Sequence, residues 1–297
     1  MSVGEATASV PEFDSDSPWG SYRPAPGIAV VLALAHAMPL AWSRLTQLLR
    51  RPVKHGVTTP LDLEIWGLKL RLLPRGNMSE QKLYTAPRAF DPEELGLLRR
   101  RLQPGSVFVD VGANAGIYSF WAHRCMQGRG RILAVEPDPE MRRRLAFNVG
   151  TNALTDIEIC PVALSDHEGN AELQVRPSQR GENTLELSEA QRAGGDRRPL
   201  TVPVTTLLAL LQSRGLTKVD ILKIDIEGHE PTVLRHFLAH APEALLPLAV
   251  ISEFKDRTAQ DILHLFAERG YRQRETTRLN FILERDGGPS DLRTTSQ

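Results

Sequence analysis

Apolar residues recur along the chain in patterns that predict alternating strands and helices. Val107 to Val111 is a nearly continuous apolar run rich in β-branched residues, which is typical of a strand buried on both faces. Apolar side chains then follow at helical spacing from Ile117 to Cys125. Further buried strands are predicted over 131–135, 157–161, 219–224 and 248–252, with helices beginning near 139 and 231. This alternation predicts an α/β fold.

The N-terminal part has a different pattern. Residues 1–26 are rich in Ser, Pro, Asp and Ala, show no periodicity and are expected to be disordered. Residues 28–42 are apolar and predict a helix, which an amphipathic stretch extends to Arg51. The apolar stretch 28–42 has 15 residues, fewer than the ~20 that a transmembrane helix needs, so we expect no transmembrane segment. The helix is expected to pack on the domain or on a second copy in a homodimer, and peripheral membrane contact by residues 28–51 is an alternative.

Alternating leucines over 61–73 predict an antiparallel hairpin with its turn at Gly67, and Asp91-Pro92 predicts the start of a helix that leads into Val107. The predicted organisation has four parts. These are a disordered tail (1–26), a helical segment with hairpin and lead-in helix (27–104), an α/β domain closed by a hairpin (105–285), and a disordered tail (286–297).

Composition and charge exclude some functions. The chain has 36 basic and 36 acidic side chains and no net formal charge, so we expect no nucleic-acid partner. Cys125 and Cys160 stand in apolar surroundings and are expected to be buried thiols, neither a disulfide nor a metal site. These features favour a cytoplasmic protein, and the excess of arginine over lysine suggests a bacterial genome rich in GC.

The turn after Val111 carries the first candidate chemistry. Gly112 permits a sharp turn, and Gly116 lets the next helix begin against the strand with its free amides facing a ligand. A dinucleotide-binding fingerprint would place glycine where the chain has Asn114 and Ile117, so this spacing disfavours NAD. Asp110 supplies a carboxylate for an ammonium group. S-adenosylmethionine, with an amino-acid end, a ribose and an adenine, therefore fits better.

Acidic or hydroxyl side chains follow several predicted strands, and ligands of open parallel sheets bind at these carboxyl ends. Glu136 stands 20 positions beyond Gly116, where a carboxylate meets the ribose hydroxyls of an adenosine ligand. The whole set is Asp110, Glu136, Ser165 or Asp166, Asp225, Glu227 and Glu253. The polar stretch 176–199 is a candidate lid or substrate loop.

Four motifs in this order resemble the FkbM family of S-adenosylmethionine-dependent methyltransferases. They are FVDVGANAGIYS (108–119), AVEPDP (134–139) with Asn148, VALSD (162–166) with Gly169, and LKIDIEGHE (222–230). The resemblance covers about residues 60–285. It implies a Rossmann-like class I methyltransferase fold over 105–285, with a seven-stranded, mostly parallel sheet and helices on both faces. It also implies O-methylation of a small-molecule or glycan acceptor, at a hydroxyl of a sugar, glycan or natural product.

The resemblance also implies roles by position. Asp110, Gly112 and Asn114 would hold the methionine end, Glu136 the ribose, and Ala163 and Asp166 the adenine. Gly116 and Pro137 are further candidates for cofactor binding. Asp225, Glu227 and His229 would face the reacting centre, where a hydroxyl needs a base. One departure is Thr206-Leu207-Leu208, where the family usually has Thr-Leu-Asp, and it leaves the substrate class open.

Several alternatives remain open from the sequence. An NAD-linked oxidoreductase could use the same sheet, and a non-catalytic interaction module could retain it. Nitrogen acceptors are compatible with the same residues. We assign no metal ligands, because no His or Cys spacing indicates zinc. A divalent ion held by Asp225, Glu227 and Glu253 is the alternative, since such ions favour oxygen ligands.

Overall fold

The computed structural model describes residues 10–38, 48, 53–54, 56–186, 196–255 and 258–286. Its N-terminal elements are helix α1 (Pro26–Ala37), strands β1 (Leu61–Ile65) and β2 (Leu68–Leu72), and helices α2 (Met78–Thr85) and α3 (Pro92–Arg101). The two strands pair antiparallel through a turn in which Trp66 and Gly67 have positive φ. The predicted hairpin and lead-in helix are therefore present.

A seven-stranded sheet forms the centre of the molecule. Its strands are β3 (Val107–Val111), β4 (Arg131–Val135), β5 (Ile157–Cys160), β9 (Ile221–Ile224), β10 (Ala249–Glu253), β11 (Tyr271–Thr276) and β12 (Asn280–Arg285). They lie in the order β11-β12-β10-β9-β3-β4-β5. Strand β12 runs antiparallel to both neighbours, and the other pairs are parallel. The predicted mostly parallel sheet is confirmed.

Helices cover both faces of this sheet. They are α4 (Ile117–Met126), α5 (Pro139–Thr151), α6 (Leu207–Ser213), α7 (Glu230–His240) and α8 (Ala259–Ala267). Because successive side chains of a strand point to opposite faces, Phe108 joins one apolar core with Phe120, while Val109 joins the other with Phe237. Strand β3 is buried along its whole length between these layers. Its carboxyl end is thus held rigidly at the centre of the sheet.

A smaller sheet lies beside the main one. It consists of β6 (Ala163–Ser165), β8 (Arg198–Thr206) and β7 (Gly169–Val175), with β6 parallel and β7 antiparallel to β8. The side chain of Thr206 caps α6 by accepting the amide of Ala209 at 3.1 Å. Leu208, at the position where the sequence departs from the family pattern, packs against the hydrophobic core on this side.

Residues 10–25, which the sequence assigned to a disordered tail, make specific contacts with the rest of the structure. Arg71 of the hairpin is fully buried and pairs with Asp62 opposite it, with 2.7 Å between Nε and Oδ1. Its guanidinium also donates to carbonyl oxygens in the segment, those of Asp14, Ser17 and Pro18. The polar composition was misleading because carbonyl groups, which every residue type carries, satisfy the arginine.

Apolar contacts hold the same segment. The buried ring of Phe13 packs edge-on against Phe147 of α5, with centroids 5.6 Å apart. Residues 1–9 and the predicted C-terminal tail beyond residue 286 lie outside the described residues, as does most of the stretch 39–52. Among the described helices, none is long and apolar enough to cross a membrane.

Candidate functional site

A cavity of about 690 Å³ opens at the carboxyl ends of β3, β4, β9 and β10. Ligand pockets commonly measure roughly 300–1,000 Å³, so a cofactor and part of a second molecule can share it. Of the predicted site residues, eight line the cavity: Gly112, Asn114, Glu136, Pro137, Ala163, Asp225, Glu227 and His229. This placement agrees with the prediction that residues at the carboxyl ends of the parallel strands lie in one cavity.

The turn after β3 forms the floor of the cavity. Gly112 has a φ of +73°, and a Cβ there would lie 2.0 Å from the carbonyl oxygen of Asp225. Asn114 follows in the left-handed region, with a φ of 54°, and its side-chain oxygen accepts the amide of Ala115 at 2.7 Å. The same oxygen accepts the side-chain amide of Asn77, which precedes α2. The turn is therefore fixed from two sides.

Glu136 stands at the end of β4 and is only 6% exposed. Its two carboxylate oxygens accept the amides of Asn114 and Asp138, each at 2.8 Å. Burial, aided by the charge of Asp138, outweighs these hydrogen bonds and raises the pKa of Glu136 to about 7. The carboxylate thus joins the β3 and β4 loops at the cavity wall, and it retains lone pairs for further donors.

Asp110 has a different position from the one predicted. Its side chain is fully buried below the cavity and accepts the hydroxyl of Ser119 at 2.7 Å. Lys223 of β9 lies between it and the cavity. The Lys223 ammonium is 3.5 Å from Asp110 and 3.6 Å from Asp225, and it donates to the Gly112 carbonyl at 3.0 Å. The expected direct contact between Asp110 and a ligand does not fit this geometry.

Lys223 is a site residue that the sequence reasoning missed. Burial alone would lower its pKa, but the charges of Asp225, Asp110 and Glu253 outweigh burial and raise it. The lysine therefore stays charged in the floor of the site. A signal was present, since a lysine interrupts the otherwise apolar strand Ile221–Ile224.

Two other predicted cofactor residues lie outside the cavity lining. Gly116 is required for packing, because a Cβ there would lie 2.3 Å from the side chain of Leu145. Asp166 has a side chain that is 54% exposed and bonds His167. Asp166 comes directly after β6, whose three residues are all buried, and it is the first side chain there to face solvent. The predicted adenine contact by the side chain of Asp166 does not fit this placement.

Three carboxylates gather at the other end of the cavity, where β9 and β10 end. Oxygens of Asp225, Glu227 and Glu253 lie within 4.8 Å of one another. The ammonium of Lys255 is 2.9 Å from Glu227 and 2.5 Å from Glu253. Burial and then the charge of Asp225 raise the pKa of Glu227 to about 7 and that of Glu253 to about 10. This end of the site can accept protons near neutral pH.

His229 lines the cavity immediately before α7 but is engaged at both ring nitrogens. Its Nε2 lies 3.0 Å from the hydroxyl of Ser165, and its Nδ1 lies 2.8 Å from the carboxylate of Glu186. The side chain is 8% exposed. His229 therefore connects the small sheet to the loop that carries Glu186.

That loop, residues 176–186, supplies one wall of the cavity from Gln179 to Leu185. Arg180 donates to both carboxylate oxygens of Asp138, at 2.7 and 3.0 Å, and Asn183 donates to Asp138 at 2.8 Å. Asp138 also caps α5 by accepting the amide of Glu140. The described part of the predicted loop 176–199 thus lies beside Glu136, and residues 187–195 lie outside the described residues.

The opposite wall comes from elements outside the central βα units. Residues of α2 and of the start of α3 face the cavity, and so does the turn between β11 and β12. Thr277 and Asn280 in that turn both donate to Glu94 of α3, at 2.6 and 2.8 Å. The predicted boundary at residue 105 therefore does not separate the N-terminal elements from the site. Leu208 is not among the cavity-lining residues described.

Comparisons with known proteins place this geometry among methyltransferases. The methyltransferase FkbM domain matches residues 110–273. Methyltransferase sdnD of Sordaria araneosa is 29% identical, over 43% of this chain and 58% of that protein. AMB antimetabolite synthetase AmbE of Pseudomonas aeruginosa is 32% identical, over 45% of this chain and 8% of that protein. The chain thus spans only part of both relatives.

Solved structures with a similar arrangement include a methyltransferase FkbM from Methylobacillus flagellatus KT. It has 16% identity and a TM-score of 0.39, over 69% of this chain and 54% of that one. A ribosomal protein L11 methylase from Lactobacillus delbrueckii subsp. bulgaricus has 16% identity and a TM-score of 0.41, over 66% of this chain and 79% of that one. The family match covers more than half of the sequence and begins at Asp110, at the end of the central strand. The chain belongs to the methyltransferase FkbM domain family.

Proposed function

We propose that the chain binds S-adenosylmethionine and transfers its methyl group to a hydroxyl oxygen of a sugar, glycan or natural product. The observation that carries this proposal is the division of one cavity into two chemically different ends. The Gly112 turn and Glu136 lie at one end, and Asp225, Glu227 and Glu253 lie at the other.

The first end suits the methyl donor. Gly112 allows close approach of a ligand to the backbone, and Glu136 offers carboxylate lone pairs to two ribose hydroxyls. Pro137 and Ala163 line the same cavity and provide apolar surface for the adenine. Lys223 keeps a positive charge under the Gly112 turn, where the ligand's carboxylate would lie.

The second end suits an acceptor hydroxyl. In the transfer, the hydroxyl oxygen bonds to the methyl carbon, the carbon–sulfur bond breaks with its electron pair going to sulfur, and the proton leaves to a base. Glu227, with a pKa of about 7, matches a base that works near neutral pH. Asp225 is the more exposed alternative, whereas His229 already has a partner at each nitrogen.

The decisive experiment is calorimetric titration of the purified protein with S-adenosylhomocysteine. We expect micromolar binding to the wild type, with Glu136→Ala losing it and Glu172→Ala, which changes an exposed carboxylate of β7, retaining it. The cofactor assignment would be refuted if Glu136→Ala bound S-adenosylhomocysteine as tightly as the wild type, or if the folded wild type did not bind it. Titration with NAD tests the oxidoreductase alternative.

The acceptor is then sought by incubation with labelled S-adenosylmethionine and small sugars, glycans and hydroxylated natural products. Mass spectrometry should find a gain of one methyl group, and fragmentation should place it on oxygen. Methylation at nitrogen instead would correct the acceptor class while leaving the cofactor assignment intact.

A further inference from the structure

The carboxylates at the acceptor end already surround one cation. The ammonium of Lys255 lies between Glu227 and Glu253, at 2.9 and 2.5 Å, and Asp225 completes the group. The Lys255 side chain is 36% exposed and sits on a flexible stem, so its ammonium can move into solvent. The position of this ammonium marks where the site favours positive charge.

A buried oxygen without a partner points to a further ligand. Glu253 has a side chain that is only 7% exposed, and its Oε1 contacts Lys255. Its Oε2 is buried and has no hydrogen-bond partner among the described residues. Leaving a buried carboxylate oxygen without a partner is costly, and buried charges are normally paired or coordinate metals.

The charges around this oxygen are unbalanced. Five carboxylates lie in or directly beside this part of the site, those of Asp110, Asp225, Glu227, Glu230 and Glu253, and Lys223 and Lys255 supply two positive charges. In their ionised form, which cation binding requires, these carboxylates outnumber the two lysines, so their negative charge is only partly balanced. Asp225, Glu227 and Glu253 all line the cavity and offer the hard oxygen ligands that Mg²⁺ and Mn²⁺ prefer.

We propose that Asp225, Glu227 and Glu253 form a binding site for a divalent cation of the Mg²⁺ or Mn²⁺ type, with the Lys255 ammonium as its competitor. This departs from the metal-free site that the sequence favoured. The site would place the cation at the acceptor end of the cavity, yet its existence does not depend on the proposed methyl transfer.

The competition makes the proposal testable without cofactor or acceptor. Mn²⁺ is titrated into the full-length protein, and free Mn²⁺ is followed by its electron paramagnetic resonance signal. Lys255→Met should bind Mn²⁺ at least about tenfold more tightly than the wild type, because a cation that repels the ion is removed. Glu253→Gln, of nearly the same shape, should bind at least about tenfold more weakly because it loses a charged ligand.

Glu172→Gln serves as the matched control for loss of one carboxylate, and circular dichroism confirms that each variant is folded. The absence of Mn²⁺ binding in both the wild type and Lys255→Met would overturn the proposal. Binding that Glu253→Gln leaves unchanged would overturn it equally. Since S-adenosylhomocysteine titration is independent of the ion, failure of this site and failure of the methyl-donor assignment are distinguishable.

Discussion

The carbonyl oxygen of Asp225 occupies the space in which residue 112 would carry a Cβ, at a separation of only 2.0 Å. The loops after β3 and β9 can therefore touch only because residue 112 is glycine. Asp225 lies in the loop that carries Glu227, so under the proposed function this contact sets the separation between the donor and acceptor ends.

Gly112→Ala should accordingly destabilise the protein by several kcal/mol, on the order of 3, because it adds a backbone clash to a φ of +73°. Gly150→Ala in α5 is the matched control, since a Cβ there meets nothing within 4 Å, and we expect it to stabilise the helix by about 0.5–1 kcal/mol. Chemical denaturation measures both. Equal stability of the two variants would show that the loop contact is not tight in solution.

The Arg71 interaction predicts a stability effect far from the cavity. Arg71→Met leaves Asp62 buried without its guanidinium partner and frees three carbonyl groups, and it should cost about 3–5 kcal/mol. Residues 10–25 should then become sensitive to limited proteolysis. Arg131→Met, which removes an exposed ion pair with Glu158, should change stability by less than about 1 kcal/mol. Protection of residues 10–25 in Arg71→Met would contradict this account.

The buried carboxyl of Glu136 is expected to lower the folding stability at neutral pH while it contributes to binding of S-adenosylhomocysteine. The folded protein retains the Glu136 proton up to about pH 7, whereas the unfolded chain releases it near 4.5, so stability falls as pH rises between these values. The difference corresponds to roughly 3 kcal/mol at most. Glu136→Gln should therefore gain stability relative to wild type as pH rises to 7, while it loses affinity for S-adenosylhomocysteine.

Thermal unfolding of both proteins from pH 5 to pH 8 measures this effect. The gap in melting temperature should move in favour of Glu136→Gln across the series and then level off above pH 7. A gap that is constant with pH would show that Glu136 titrates normally in the folded protein.

The contacts of Arg180 are expected to slow the dissociation of a bound ligand. Arg180→Ala removes both contacts of its guanidinium with Asp138, which remains bonded by Asn183, so the loop should open more readily while α5 keeps its cap. We expect S-adenosylhomocysteine to dissociate several-fold faster, with little change in melting temperature. Arg143→Ala, an ion-paired arginine of α5 at the surface, is the control. Stopped-flow fluorescence or surface plasmon resonance gives the rates, and unchanged dissociation would exclude a closing role for the loop.

The sequence predicted those features whose causes are local. The buried strand Val107–Val111, the turn at Gly112 and the helix that begins at Pro139 depend on neighbouring residues, and all appear in the structure. The carboxyl ends of parallel strands also converge by topology, so Glu136 and Glu227 could be assigned to one cavity from their order alone.

Features that depend on distant partners could not be predicted in this way. Arg71 donates hydrogen bonds to backbone carbonyl groups more than 50 residues away. Because every residue type carries a carbonyl group, the sequence contains no pattern that identifies these partners. The exposure of Asp166 directly after the buried three-residue strand β6 is likewise not signalled by its neighbours in the sequence. Burial of Asp110 followed from its strand, but its pairing with Lys223 required the register between β3 and β9, which sets these two residues opposite each other.

The wall built by α2, the start of α3 and the β11–β12 turn lies outside residues 110–273, the part that matches the family. Under the proposed function, the matched part contains the donor end and the acids, and these flanking segments line part of the space left for the acceptor. We therefore expect substitutions in residues 78–94 to change the choice of acceptor while leaving S-adenosylhomocysteine binding unchanged.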